Sequence, residues 1–105
     1  MQLREIAHSR TGDKGSFVTV SLIANRRDDF SLLAERVTAE RVSELFASLI
    51  DRPAVRYELP HLGALNFVLH RPETQNVTRS LALDAHGKCL GSALLALEIS
   101  SELAS

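Results

Sequence analysis

"LGALNFVLH", residues 62–70, is the stretch on which the fold turns. Leu65, Phe67 and Leu69 alternate, as they would in a strand with one buried face. Leu62, Leu65 and Leu69 also stand at the three- and four-residue steps of a helix. Pro60 before it and Pro72 after it bound the segment as a compact unit. The expectation adopted is a short buried helix. Asn66 lies inside the apolar run, where an amide without partners is costly, so it must be hydrogen-bonded. It either ties loop backbone together or contacts a ligand, with His70 one turn later on the same face if the segment is helical.

Working outward, "VRYEL" (55–59) alternates and reads as a strand, with Val55, Tyr57 and Leu59 inward and Arg56 and Glu58 outward. Upstream, "VTAERVSELFASLI" (37–50) carries the clearest helical signal. Thr38 is a good N-cap, and Glu40 falls in the first turn where the helix dipole favours it. Val37 and Val42 occupy the positions of a hydrophobic staple. Val42, Leu45, Phe46, Leu49 and Ile50 then form an apolar stripe, and Pro53 stops it soon after. "RRDDFSLLAERV" (26–37) predicts a short helix started by Asp28 or Asp29. "FVTVSLIA" (17–24) is a β-branched, apolar strand with Val18, Val20, Leu22 and Ala24 on one parity. Phe17 and Ile23 lie on the other, so both faces have something to cover. Residues 2–9 read as a weaker first strand.

Downstream, the last third reads as a hairpin. "VTRSLALD" (77–84) runs up, "AHGK" turns with Gly87 supplying a left-handed residue, and "CLGSALLALEI" (89–99) runs back. Arg79 shares the inward parity of Leu81 and Leu83. The returning arm is apolar on both parities, as in a central strand or an edge covered by a partner subunit. The order β, β, α, α, β, short α, β, β predicts a two-layer α+β domain, an antiparallel-rich sheet with helices on one face.

The chain has 105 residues and reads as a single domain, 1–105. With 12 basic and 13 acidic residues it has no field to gather nucleic acid. It lacks the apolar run of about 18 residues that a membrane span needs, and Arg4 and Glu5 interrupt any signal-peptide core. One cysteine, Cys89, excludes an internal disulfide, and the cytoplasm is the default location. Cys89 falls on the buried parity of the returning arm and reads as a small apolar residue. His8, His61, His70 and His86 show no metal-ligand spacing, so neither metal nor cofactor is expected.

"AHSRTGDKGSF", residues 7–17, holds the densest chemistry. Gly12 and Gly15 permit a tight backbone path around Asp13 and Lys14, with Arg10 close by. Such a turn can present backbone N–H groups beside two cations, an anion-binding nest for phosphate, carboxylate or a coenzyme A tail. The glycine spacing is not that of a P-loop. The same residue types make ordinary turns for local reasons, and so do Asp84 and His86. His8, just before the loop, is either a satisfied structural residue or a general base. Arg79 and Asn66 sit at core-facing positions and need partners, and Asp13 is the group placed to serve. Whether Asp13 pairs with Arg79 or faces a cavity separates a structural turn from a site.

Together "AHSRTGDKGSF", "VRYELPHLGALNFVLH" and "VTRSLALDAHGKCLGSALLALEI" resemble the small C-terminal domain of acyclic terpene utilisation (AtuA) proteins and its stand-alone relatives. The resemblance runs from Ala7 to Ile99. It is carried by His8, Arg10, Gly12, Asp13, Lys14, Gly15 and Asn66, and by Thr78, Ser80, Asp84, Gly87 and Lys88. Thr11, His61 and "RPETQN" (71–76) depart from the family pattern. The resemblance implies a two-layer ferredoxin-like sandwich and a setting in breakdown of terpenoid or branched acyl-CoA compounds. It implies no established catalytic residues.

Three functions follow as expectations. The first is an accessory or binding domain that assembles with itself or with a larger AtuA-like subunit. It would carry an anion or acyl-CoA site built from Arg10, Gly12, Asp13, Lys14, Gly15, Asn66 and Arg79. The second is a small enzyme on acyl-CoA intermediates, with His8 or Asp13 as general base and Arg10 and Lys14 holding the anionic end. The third is a purely structural oligomerisation domain in which the glycine turn is a staple.

Overall fold

The computed structural model describes residues 1–71 and 87–99. Strands β1 (Ala7–Asp13), β2 (Phe17–Ala24), β3 (Val55–Leu59) and β4 (Ala64–His70) form one antiparallel sheet in the order β1-β2-β4-β3. Helices α1 (Phe30–Arg36) and α2 (Ala39–Leu45) join β2 to β3, and α3 (Gly87–Leu95) follows later in the chain. The fold is α+β, with the helices packed on one face of the sheet.

Registration assigns each strand position to a face. Val18, Val20 and Leu22 of β2 lie beside Leu69, Phe67 and Leu65 of β4, and all six are buried. Leu32 and Leu33 of α1, Val42 of α2 and Leu90 and Leu94 of α3 close over them. Burial of apolar surface at ~25 cal/mol per Å2 is the main stabilising term in such a layer. The opposite face has no helix on it among the described residues.

Local chemistry sets the elements. The β-branched run of β2 suits a strand covered on the helix side. The β1–β2 hairpin turns through residues 14–16, where Gly15 takes a positive φ of 80°. At α2, the Thr38 hydroxyl accepts a hydrogen bond from the Arg41 amide at 3.1 Å, and Val37 and Val42 are both fully buried. Residue 1 meets residue 99 in a short antiparallel contact: the Ile99 amide donates to Met1 O at 2.8 Å and the Met1 ammonium donates to Ile99 O at 3.0 Å.

Residues 64–70 are a strand, not the expected helix. Leu65, Phe67 and Leu69 bury together at period two, whereas Leu62, which the helical stripe needed inside, is 57 % exposed. Pro60–Leu62 forms one 3-10 turn, and Gly63 ends it at φ 62°, reversing the chain so that β4 pairs with β3.

The returning arm at 89–99 was expected as a strand; residues 87–95 are helix α3. Leu90 and Leu94 bury one turn apart, with Ala93 and Leu95 partly covered, so its apolar residues on both parities belong to a helix face packed on the core. An edge covered by a partner is not needed to explain them. The helix crosses β1 closely: a Cβ added at Gly91 would collide with Ser9 Oγ. Cys89 therefore belongs to α3, and not to a strand. Segment 77–84 and Thr78, Arg79, Ser80, Asp84 and His86 lie outside the described residues.

β3 is inverted relative to expectation. Arg56 and Glu58 lie on the helix side, registered with Phe67 and Leu65, while Val55 and Tyr57 face outward, 47 % and 53 % exposed. The cause is Arg56. Its Nη1 donates to Ala34 O at 2.6 Å and Val37 O at 3.0 Å, satisfying carbonyls at the C-terminal end of α1. Two smaller differences remain. The first strand starts at Ala7 after a 3-10 turn, Leu3–Glu5, so the glycine motif begins inside β1. Helix α2 ends at Leu45, which is exposed, and Val42 and Phe46 carry the stripe into the core.

Candidate functional site

The glycine motif is divided between two places. Asp13 ends β1 on the helix-side parity, opposite Val18. Its Oδ1 accepts from the Gly15 amide at 2.9 Å and from Arg71 Nη2 at 2.5 Å. The same Nη2 donates to Gly15 O, and the Arg71 amide donates to Ser16 O at 2.9 Å. Arg71, buried among Val18, Leu49, Ile50, Leu69 and Leu90, thus clasps the turn from below. The Lys14 amide donates to Phe17 O at 2.9 Å. Two N–H groups that a nest would offer, those of Lys14 and Gly15, are engaged inside the turn. The Lys14 residue is exposed at its tip.

The outward face of the sheet gathers the other residues. Across the strands run His8, Ile23, Ala64 and Leu59 in one row and Arg10, Ser21, Asn66 and Tyr57 in the next. Gly12, Thr19, Val68 and Val55 form a third row. Gly12 allows the close approach of Thr19, whose Oγ1 would lie 2.9 Å from an added Cβ. Asn66 stands half-buried on this outward face, not toward the core as expected, because the strand's period of two sends Leu65 and Phe67 inward; its Oδ1 accepts from Ser21 Oγ at 3.3 Å. His8 Nδ1 lies 2.7 Å from Asn25 Oδ1, so the imidazole proton is drawn to Nδ1 and Nε2 is left for a ligand.

Between these rows lies an open groove of about 350 Å3 lined by His8, Arg10, Ser21, Ile23, Leu59, Leu62 and Ala64. The two shortest side chains of the lining, Ser21 and Ala64, come from the two central strands, which leaves a depression between taller walls. The Arg10 guanidinium makes no hydrogen bond or ion pair among the described residues. The groove therefore offers one unpaired cation, one imidazole and an apolar wall.

Of the residues singled out from sequence, His8, Arg10, Gly12 and Asn66 share the outward face; Asp13, Lys14 and Gly15 belong to the turn at its end, and Arg79 is outside the described residues. Sequence reasoning missed Arg71, Ser21, Asn25 and Tyr57. Ser21 was legible as a polar residue on the parity of Ile23. Arg71 gave no signal beyond being a basic residue at the end of an apolar run.

A second polar cluster stands at the far end of β4. Asp51 Oδ1 is 3.2 Å from His70 Nδ1 and 3.1 Å from Arg52 Nε. The Arg52 hydrogen bond, with the charges of Arg52 and His70, holds the Asp51 carboxyl below its ordinary range. Among the described residues there is no group of three or more His, Cys, Asp or Glu that could hold a metal, and no helix long and apolar enough to cross a membrane.

Comparison with curated proteins and with solved structures gives no match. A family model, the AtuA ferredoxin-like domain, matches residues 1–100. With all but the last few residues matched and the α+β architecture in place, the chain belongs to the AtuA ferredoxin-like domain family.

Proposed function

We propose that this chain is a small accessory domain that acts by assembly and by binding an anionic ligand, in the breakdown of terpenoid or branched acyl-CoA compounds that its family suggests. The carrying observation is the sheet face on which no helix packs among the described residues. Val55 and Tyr57 stand about half exposed on an edge strand beside Val68. Exposed apolar surface of this kind, rimmed by polar groups, marks interaction sites. The occupant favoured is a second copy of the chain, because the Val55, Tyr57 and Val68 patch is uncharged and meets its own image without repulsion. A larger AtuA-like subunit is the other occupant.

Sedimentation of the intact chain across concentration tests this. Association that Tyr57→Lys abolishes, with the circular dichroism unchanged, supports self-assembly. A monomer at all concentrations that also fails to bind a larger AtuA-like subunit removes the assembly reading. The anion-binding half rests on His8 and Arg10 in the groove at the other end of the same face.

The enzyme reading has one observation in its favour, the Asn25-oriented imidazole of His8 beside Arg10. Asp13 is a poorer candidate for it, since its carboxylate is engaged by Arg71 at the turn. Turnover of an acyl-CoA that His8→Gln removes, with binding retained, would favour that reading over the accessory one.

A further inference from the structure

We infer that the open-face groove takes a small aliphatic carboxylate, its head on Arg10 and its carbon chain along Ile23, Leu59 and Leu62. This rests on the anion site proposed above and names its ligand class. The first argument is charge. The chain has 13 acidic residues, yet none of the outward positions registered across the four strands is Asp or Glu. Arg10 has no carboxylate neighbour among the described residues, so its guanidinium is open to a ligand's carboxylate.

The second argument is the kind of anion. A guanidinium is a planar fork that matches a carboxylate through two parallel N–H···O bonds. Arg10 is the one arginine or lysine among the lining residues, which suits a single negative charge. A coenzyme A head, with its several phosphate charges, calls for more cations or a row of free amides. The amides of the glycine turn, those of Lys14 and Gly15, are engaged within the turn.

The third argument is the wall. Leu62 is held outward by the Pro60–Leu62 turn, which places an exposed leucine at the groove's rim next to Leu59. Apolar chain laid there gains roughly 0.8 kcal/mol per buried CH2. The groove volume, about 350 Å3, stands at the small end of ligand sites, which run from about 300 Å3 upward. His8 contributes Nε2 at the same end as Arg10, because Asn25 holds the other ring nitrogen.

The test is a 15N–1H titration of the intact chain with octanoate, octanol and coenzyme A in parallel. Expected are saturable shifts with octanoate at the amides of His8, Arg10, Ser21 and residues 62–64. Octanol should bind about tenfold more weakly or worse, the difference a lost ion pair of ~1.4 kcal/mol would make. Arg10→Gln, a change at an exposed side chain, should reduce octanoate affinity to the level of octanol while the remaining spectrum is unchanged.

Equal binding of octanol and octanoate overturns the carboxylate assignment. So does tighter binding of coenzyme A, although that result leaves the anion site of the proposed function standing. Loss of binding in Lys14→Ala but not in Arg10→Gln moves the anion to the turn and overturns the inference. Shifts with none of the three ligands overturn both the inference and the anion site, and leave assembly to be decided by sedimentation.

Discussion

At the scale of single residues, the chain's polar chemistry separates into groups that hold the fold and groups left open. Asp13 belongs to the first kind. Charged hydrogen bonds such as Arg71 to Asp13 contribute roughly 1.5–3 kcal/mol, less where one partner reaches solvent as Asp13 does. Asp13→Asn should therefore lower stability by ~1–2 kcal/mol in urea unfolding, whereas Lys14→Ala, at the exposed tip, should fall within ~0.5 kcal/mol of the parent. Arg56→Met should cost about 1–3 kcal/mol, because it strips partners from two carbonyls at the end of α1.

Asp51 contributes a pH dependence. Its folded pKa lies below the unfolded one, so its contribution is present above the unfolded value of ~3.9 and fades as pH falls through the folded one. Asp51→Asn should flatten the acid limb of a thermal-unfolding profile by lowering the neutral plateau, and leave the acid end, where the parent carboxyl is already protonated, unchanged.

At the scale of elements, legibility depended on whether one side chain or many set the geometry. Helix α2 was readable because its cap and staple are local: Thr38, Val37 and Val42 act within a few residues. Thr38→Ala should cost ~1 kcal/mol by removing the acceptor for the Arg41 amide, measurable in the same urea experiments. β4 was harder. Its apolar spacing fits two periods, and only Gly63, which turns β3 into β4, favours the strand. α3 is hard to tell from a strand because Leu90, Ala93, Leu94 and Leu95 occupy both parities, a pattern shared by a doubly covered strand and a helix packed on a core. β3 shows the opposite failure. Its alternation is real, but a long-range bond from Arg56 to α1 reverses which side is inward, and no local pattern records that.

The α3–β1 crossing gives a further prediction at this scale. Gly91→Ala gains up to ~1 kcal/mol of helix propensity but drives a methyl against Ser9 Oγ, and overpacking costs ~1–3 kcal/mol. A net loss in stability is expected, recovered when Ser9→Ala removes the hydroxyl. Equal stability of the single and double variants would show that Ser9 turns away at no cost.

At the scale of the whole molecule, the α+β class was legible from element composition, and so was the family from three long motifs. The candidate site was half legible. His8, Arg10 and Asn66 were singled out, but their sharing a face follows from registration across three strands, which distance along the chain conceals. The separation of Arg10 from Lys14 was equally hidden, although only three residues lie between them. A sheet whose helix side is packed and whose other side is partly apolar also predicts dye binding in the native state. Native-state fluorescence with a hydrophobic probe should fall when Tyr57→Lys and Val55→Thr are combined, while urea midpoints stay close to the parent.

The contact between residues 1 and 99 bears on how the fold opens. The two run antiparallel, each donating to the other's carbonyl, with Met1 also ion-paired to Glu98 at 3.2 Å. The path of the chain through the described core thus starts and ends side by side at one point of the surface. Pulling the two apart at this point would therefore break the Ile99 hydrogen bonds first.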